Sequence, residues 1–352
     1  MAVIDIEAFR EREAQKLITC RPHPTHDLLI WNYTPQCQFA RAWDEVTMQA
    51  RGLITRSDGT IVAKPFKKFM NYEEHQEPIP LEPFKVTEKM DGSLGILYFA
   101  DGMPSIATRG SFTSSQAERA TQILYQKYPD FIPSLQQWPY YTLLFEIIFK
   151  ENRIVVDYGQ MEDLVLLTII HTETGEEYDI HHPIWRKMWP FPLVKHYDGI
   201  TDIAVLKSME EENREGFVIH FESGLRLKCK FSEYVRLHRL ITQVNARVIW
   251  DLLRNNLPFD ELLARVPDEF YQWVRQTRSN LQEQFGNIQY ESLKLYHLVK
   301  DLTTRKDQAE IVKSTPYAAV VFRMLDARDY HETIWKQLRP QAERPFREDI
   351  DA

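Results

Sequence analysis

The segment FKVTEKMDGSLGILYF, residues 84–99, sets Lys89 at the end of one alternating run, just before an Asp91-Gly92 break after which alternation resumes. A lysine there lies beside backbone that a ligand can approach closely, because Gly92 has no side chain. Lysine attacks only as the free amine, and with an ordinary pKa of about 10.4, losing the proton near pH 7.4 costs roughly 4 kcal/mol. Burial or neighbouring cations must lower that pKa if Lys89 is to act as a nucleophile. Taken alone, K-x-D-G also describes a tight turn with a surface lysine.

Three further stretches hold residues that could complete such a site. REGFVIHFESGLRLKCKF, residues 214–231, reads as two alternating strands about a Glu222-Ser223-Gly224 turn, with Arg226, Lys228 and Lys230 on one face. Lysines so close repel unless an anion lies between them; a solvated cationic strand face is the plain alternative. Glu215, just before the first strand, suits either an exposed turn or a metal ligand. TLLFEIIFKENRIVVDY, residues 142–158, embeds Glu146 in an apolar run that reads as a central strand. A carboxylate there needs a cation or a hydrogen-bond donor, and a structural salt bridge would serve as well as a ligand. ARGLITRSDGTIVAKPFKKFMNYEE, from residue 50, gathers Arg51, Lys64, Lys67 and Lys68 with Phe66 and Phe69. Cations interleaved with aromatics suit phosphates and bases, though a basic loop flanking core aromatics has the same composition.

The elements that must hold these residues follow from periodicity. Up to residue 235, period-two runs are separated by Asp58-Gly59 and Asp101-Gly102, dipeptides that favour hairpin turns. Residues 113–128, TSSQAERATQILYQKY, read as a helix among these strands. After residue 235 the pattern turns helical: Leu237, Leu240, Ile241, Val244, Val248 and Leu252 form one apolar stripe, and further helical stretches are expected around 258–285, 289–301, 305–313 and 316–337. The expected class is α+β, with an antiparallel-sheet domain over residues 1–235 and a small all-helical domain over 236–352. The polar ending PQAERPFREDIDA is expected to fray.

Composition narrows the partners. With 352 residues, 43% hydrophobic and 27% charged, the chain has the makings of two globular domains. A net charge of −8 argues against a protein that coats nucleic acid, so contact with phosphate must come from a local basic patch. No apolar leader or membrane span is evident, and Cys20, Cys37 and Cys229 lack C-x-x-C pairing, which fits a reducing cytoplasm. The chain is expected to act as a monomer. His171 and the pair His181-His182 have no partners at metal-ligand spacing, and no G-x-x-x-x-G-K phosphate loop occurs.

Taken in order, these segments resemble the bacteriophage RNA ligase 1 family of covalent lysine nucleotidyltransferases. ARG with a short hairpin and KPFKKFMNYEE resembles that family's stretch before the lysine, and EKMDGSLG its nucleotidyl-lysine motif. TRGSF followed by SSQA, then FEIIFKENRIVVDY, EGFVIHF and LRLKCKF, are similar to the motifs that follow. The resemblance covers about residues 50–235. Helices after the last motif, where DNA ligases and capping enzymes carry an OB-fold barrel, favour an RNA ligase and imply no such barrel.

The resemblance implies that ATP is the AMP donor and that magnesium or manganese assists. By it, Lys89 becomes adenylylated and Lys228 and Lys230 hold the α-phosphate. Glu146 and Glu215 position the ribose and a hydrated metal ion, and Asp91 contacts the lysine or the ribose. Arg51 and Lys68 engage the outgoing phosphates or an RNA 5′-phosphate, Gly92 borders the nucleotide, and Glu88 reads adenine. The implied partner is RNA with 5′-phosphate and 3′-hydroxyl ends, in RNA repair. Competing readings are a ligase of DNA or mixed ends, an enzyme that only adenylylates ends, and a non-catalytic RNA-end-binding protein. A degenerate binder would be expected to lose Lys89 or Lys230 first, and both are present.

Overall fold

The structure, a computed structural model, describes residues 2–232, 234–235, 245–259, 262 and 271–340. The chain divides into two compact units, Met1–Ile241 and Thr242–Ala352.

The first unit is α+β and holds three sheets. In chain order the strands are β1 (Ile18–Pro22), β2 (Leu29–Tyr33), β3 (Arg51–Thr55), β4 (Ile61–Ala63), β5 (Met70–Asn71), β6 (Phe84–Lys89), β7 (Ser93–Ala100), β8 (Met103–Thr108), β9 (Tyr141–Ile148), β10 (Asp163–His171), β11 (Glu177–Tyr178), β12 (His196–Tyr197), β13 (Gly216–Phe221) and β14 (Arg226–Lys230). They pair as β1-β2-β3-β4, as β11-β10-β9-β7-β8 and as β12-β6-β13-β14-β5. Every pairing is antiparallel except β14 with β5, where Lys228 lies opposite Asn71 in a parallel register.

The turn chemistry produces the expected hairpins. Asp101 and Gly102 take φ of 49° and 76° between β7 and β8, the positive values that such a two-residue connection needs. The Asp91-Gly92 break does something else: β6 and β7 lie in different sheets, so Lys89 stands where the chain crosses from one to the other. Helix Ser115–Lys127 begins where Ser114 accepts the N–H of Ala117, and buries Ala120, Ile123 and Leu124 in the core beneath β9 and β10. Strand β9 is central and covered on both faces, with Phe145 and Ile147 in one core cluster and Leu144 in another. That explains the nearly unbroken apolar run in which Glu146 is the exception.

Residues 2–63 form a layer, and for the part before residue 50 the sequence offered no motif. Helix Ile6–Ala14 and strands β1 to β4 close around Trp31, which has no exposed surface and donates its indole N–H to Thr55 at 3.0 Å.

In the second unit, the described elements are helices Ala246–Arg254, Tyr271–Val299, Arg305–Val312, Ala318–Leu325 and His331–Gln337. One 29-residue helix covers what the sequence suggested as two stretches, and the expected 316–337 stretch is two helices. Leu237, Leu240, Ile241 and Val244 of the expected stripe, and residues 341–352 of the polar ending, lie outside the described residues. The stripe's Val248 is 36% exposed, while Ile249 and Trp250 are buried. Trp250 is fixed by donating its indole N–H to the carbonyl of Trp335 at 2.8 Å.

Candidate active site

Strand pairing alone brings two of the lysines together. Gly216 on β13 lies opposite Lys89 on β6 and opposite Lys230 on β14, so the three residues stand abreast across the sheet. Gly216 has φ of 146°, and a Cβ there would sit 2.1 Å from the carbonyl oxygen of Cys229. Only glycine permits this close strand contact. The preceding residue, Glu215, is 3% exposed and lies between the two ammonium groups: Oε2 accepts from Lys89 Nζ at 2.6 Å, and Oε1 pairs with Lys230 Nζ at 2.8 Å. Burial pushes the Glu215 carboxyl up, but Lys230 and Lys89 outweigh it and hold the group below the usual carboxylate range. Glu215 is the anion that meets Lys230 on the cationic strand face, while Arg226 on the same face meets Glu177.

Glu146 approaches from the neighbouring sheet. Its Oε1 accepts the N–H of Gly92 at 2.9 Å, and among the described residues no cation lies within ion-pair distance of it. A Cβ on Gly92 would sit 2.7 Å from the Ile147 carbonyl oxygen and 3.1 Å from Glu146 Cγ. Gly92 therefore lets the Lys89 turn pass over β9, a close approach of backbone to backbone rather than to ligand. Burial pushes the Glu146 carboxyl up to about 7, with Lys89 pulling it down and Glu215 and Asp91 pushing it further up.

Asp91 departs from the expected contact with lysine or ribose. It is 3% exposed; Oδ2 accepts the N–H groups of Val155 and Val156, each at 2.8 Å, and Oδ1 accepts the Tyr234 hydroxyl at 2.8 Å. Its own N–H donates to the Tyr158 hydroxyl at 2.8 Å. A carboxylate engaged on both oxygens by chain donors anchors the turn. Glu88, expected to read adenine, alternates to the opposite side of β6 from Lys89, where Arg214 lies 3.9 Å away. Burial raises the Glu88 carboxyl and Arg214 opposes the shift.

The cations before the nucleophile interleave with aromatic rings. Arg51 lies 5.2 Å from the Phe69 ring centre and Lys228 lies 5.8 Å from the same ring. Arg226 covers Phe66 at 4.3 Å and forms a two-pronged ion pair with Glu177 at 3.0 and 2.7 Å. Lys68 is buried at 3% exposure with its ammonium 5.3 Å from Tyr33 and 5.4 Å from Trp43. Arg109 covers Tyr33 at 5.0 Å and donates to its hydroxyl at 2.8 Å. Lys64 reaches over Gly175, and burial together with the neighbouring Lys67 lowers its pKa.

Sequence reasoning did not single out Tyr33, Trp43, Arg109, Tyr158 and Tyr234. Arg109 sat in the quoted TRGSF block and Tyr158 closed the segment containing Glu146, so both were within reach. Tyr33 and Trp43 come from the layer without a motif, and only tertiary packing brings them to Lys68.

Residues 49–235 match the family model described as RNA ligase, a stretch that contains Lys89, Glu146, Glu215, Lys228 and Lys230. The chain belongs to that family, the group typified by T4 RNA ligase 1. Two relatives extend the comparison. A protein of Autographa californica nuclear polyhedrosis virus, assigned by name as a bifunctional polynucleotide kinase/RNA ligase, is 26% identical over 88% of this chain and 47% of its own length. The chain thus spans about half of that relative. An RNA ligase of Rhodothermus phage RM378 is 23% identical over 69% of this chain and 70% of the phage protein. Among solved structures, Naegleria gruberi RNA ligase with pyrophosphate is 21% identical, with a TM-score of 0.37 over 45% of this chain and 52% of the other, a likeness too slight to bear on function.

Proposed function

We propose that this protein is an ATP-dependent RNA ligase that works through a Lys89–AMP intermediate. The observation that carries this reading is the Lys89–Glu215–Lys230 chain of contacts at 2.6 and 2.8 Å, which sets a strand-end amine beside a second half-buried lysine. As the free base, the Lys89 amine forms a bond to the α-phosphorus of ATP while the bond to pyrophosphate breaks, and the leaving group takes the electron pair. Lys228 and Lys230 balance charge on the α-phosphate as it builds. Arg51, Lys68 and Arg109 would engage the outgoing phosphates or the RNA 5′-phosphate. AMP then passes from Lys89 to the RNA 5′-phosphate, and the 3′-hydroxyl of the other end displaces it. All three steps are in-line displacements at phosphorus, which one cationic cleft can serve through positioning and electrostatics.

Glu146 suits a divalent cation that keeps most of its waters, and Glu215, near enough to push the Glu146 carboxyl up, has both oxygens on Lys89 and Lys230. Glu146 is raised by burial, with Lys89 pulling it the other way, and it accepts the Gly92 N–H. Such an ion would supply charge neutralisation at the phosphates. Asp91 holds the turn, and Glu88 lies on the far face. The helical unit, which we read as lacking an OB-fold, supplies substrate choice. Among the described residues no helix is long and apolar enough to cross a membrane.

The test is to incubate the protein with ATP, magnesium and a nicked or looped RNA bearing 5′-phosphate and 3′-hydroxyl ends, beside the same ends in DNA. Sealed RNA and a transient 5′-adenylylated strand are expected. Sealing of DNA alone, or adenylylated ends that are never sealed, would overturn the RNA ligase reading.

A further inference from the structure

Lys89 and Lys230 both lie at strand ends, where the ladder that aligns them stops. The backbone register through Gly216 sets the strands side by side. Past β14 it keeps one more bond, from the Phe231 N–H to the Glu215 carbonyl, and it does not reach the Met90-Asp91-Gly92 turn, which is tied instead to Tyr158, Glu146 and the segment after β9. Tyr234 joins that turn to the strand end bearing Lys230. It is 3% exposed, its hydroxyl donates to Asp91 Oδ1 at 2.8 Å, and the Lys230 ammonium lies 5.1 Å from the centre of its ring. The contacts close on themselves: Lys89 leads along the chain to Asp91, Asp91 to Tyr234, Tyr234 to Lys230, Lys230 to Glu215, and Glu215 back to Lys89.

We propose that Tyr234 is a positioning residue for the nucleophile, its hydroxyl fixing the Lys89 turn and its ring fixing Lys230, so that amine and phosphate-holding cation keep one separation. This rests on the ligase reading given above. The physical need is sharp, because displacement at phosphorus tolerates little error in approach, and a misplacement of about 1 Å can lower a rate by about 10²-fold. Asp91 cannot do this alone. Its other oxygen is held by the Val155 and Val156 N–H groups, which tie the turn to the segment after β9 and not to the strand bearing Lys230. The role also separates the steps of the reaction. Attack by Lys89 on ATP needs the turn in place, whereas sealing of an RNA already carrying a 5′-adenylyl group uses the RNA 3′-hydroxyl as nucleophile and leaves the Lys89 amine out of the bond-making.

The experiment is single-turnover labelling of the full chain with α-labelled ATP, comparing wild type with Tyr234→Phe, which keeps the ring and removes the hydroxyl. Sealing of pre-adenylylated RNA and the thermal midpoint are measured on the same preparations. The expected result is a labelling rate at saturating ATP lowered roughly 10- to 100-fold, with the ATP concentration for half-maximal rate within about twofold of wild type. Sealing of pre-adenylylated RNA should fall less than about threefold. If the Phe variant melts well below wild type, Asp91→Asn, which keeps the side-chain size, carries the same comparison and should give the same split. Labelling at the wild-type rate, or both steps falling together, would overturn the role of Tyr234 while leaving the ligase reading in place. No label on wild type would overturn the ligase reading, and the positioning role with it.

Discussion

Two glutamates meet at the nucleophile and are treated in opposite ways. Glu215 is held between Lys89 and Lys230 and stays below the usual carboxylate range, while Glu146 meets one backbone N–H from Gly92 and is raised to about 7. The same side chain, buried in one place and half-buried in the other, is in one case a counter-ion already in use and in the other a carboxylate with capacity for a cation. Burial sets the cost of charge in both, and the neighbours decide its sign. One role is to keep two lysines close before phosphate arrives. The other is to offer negative charge to what arrives with the phosphate.

The largest effect should come from removing the counter-ion. Glu215→Gln leaves two lysines facing each other in a buried setting, and breaking a buried pair from one side costs about 3–5 kcal/mol. Urea unfolding at pH 7.5 measures this. Stability close to wild type would mean that the lysines find other anions and that Glu215 is not what holds them. The pH dependence has its own sign: the folded pKa of Glu215 is depressed, so its contribution is present above the ordinary carboxylate pKa and is lost as pH falls through the lower folded value.

Glu146 should behave in reverse. Its folded pKa of about 7 lies above the ordinary carboxylate value, so its contribution to stability is fully present below that ordinary value and is lost as pH rises through about 7. Glu146→Gln should therefore stabilise the protein at pH 8 by about 1–3 kcal/mol and have little effect at pH 4.5. Magnesium should raise the wild-type thermal midpoint at pH 8 and leave that of the variant unchanged. A variant less stable than wild type at pH 8 would break the contrast between the two carboxylates.

The smallest effect separates the sheet contacts beneath each carboxylate. Gly92→Ala places a Cβ 2.7 Å from the Ile147 carbonyl oxygen, and crowding of this kind typically costs about 1–3 kcal/mol. Because the same shift carries the Gly92 N–H away from Glu146, it should also steepen the fall in stability toward pH 8. Equal loss at pH 5 and pH 8 would mean that the Gly92 N–H does little for Glu146.

The sequence made most of the first unit legible where local rules dominate. Asp101-Gly102 gave its hairpin, Ser114 capped its helix, and the alternation of Arg226, Lys228 and Lys230 put them on one strand face. The odd carboxylate in the β9 run pointed to Glu146 because a central strand buried on both faces leaves few other reasons for charge. What periodicity could not carry was the partner of each group. That Glu215 would sit between Lys89 and Lys230 depends on the register of three strands about Gly216, and the partners of Asp91, Val155, Val156 and Tyr234, are 64, 65 and 143 residues away. Residues 2–49, and with them Tyr33 and Trp43 around Lys68, carried no signal short of the fold.

The central claim is that Lys89 becomes covalently adenylylated, and it is tested most directly by incubating the purified protein with α-labelled ATP and magnesium, then denaturing it. A labelled band in wild type that is absent in Lys89→Ala is the predicted result. A band that persists in Lys89→Ala would assign the nucleophile elsewhere, and no band in wild type with ATP or any other nucleoside triphosphate would contradict the account.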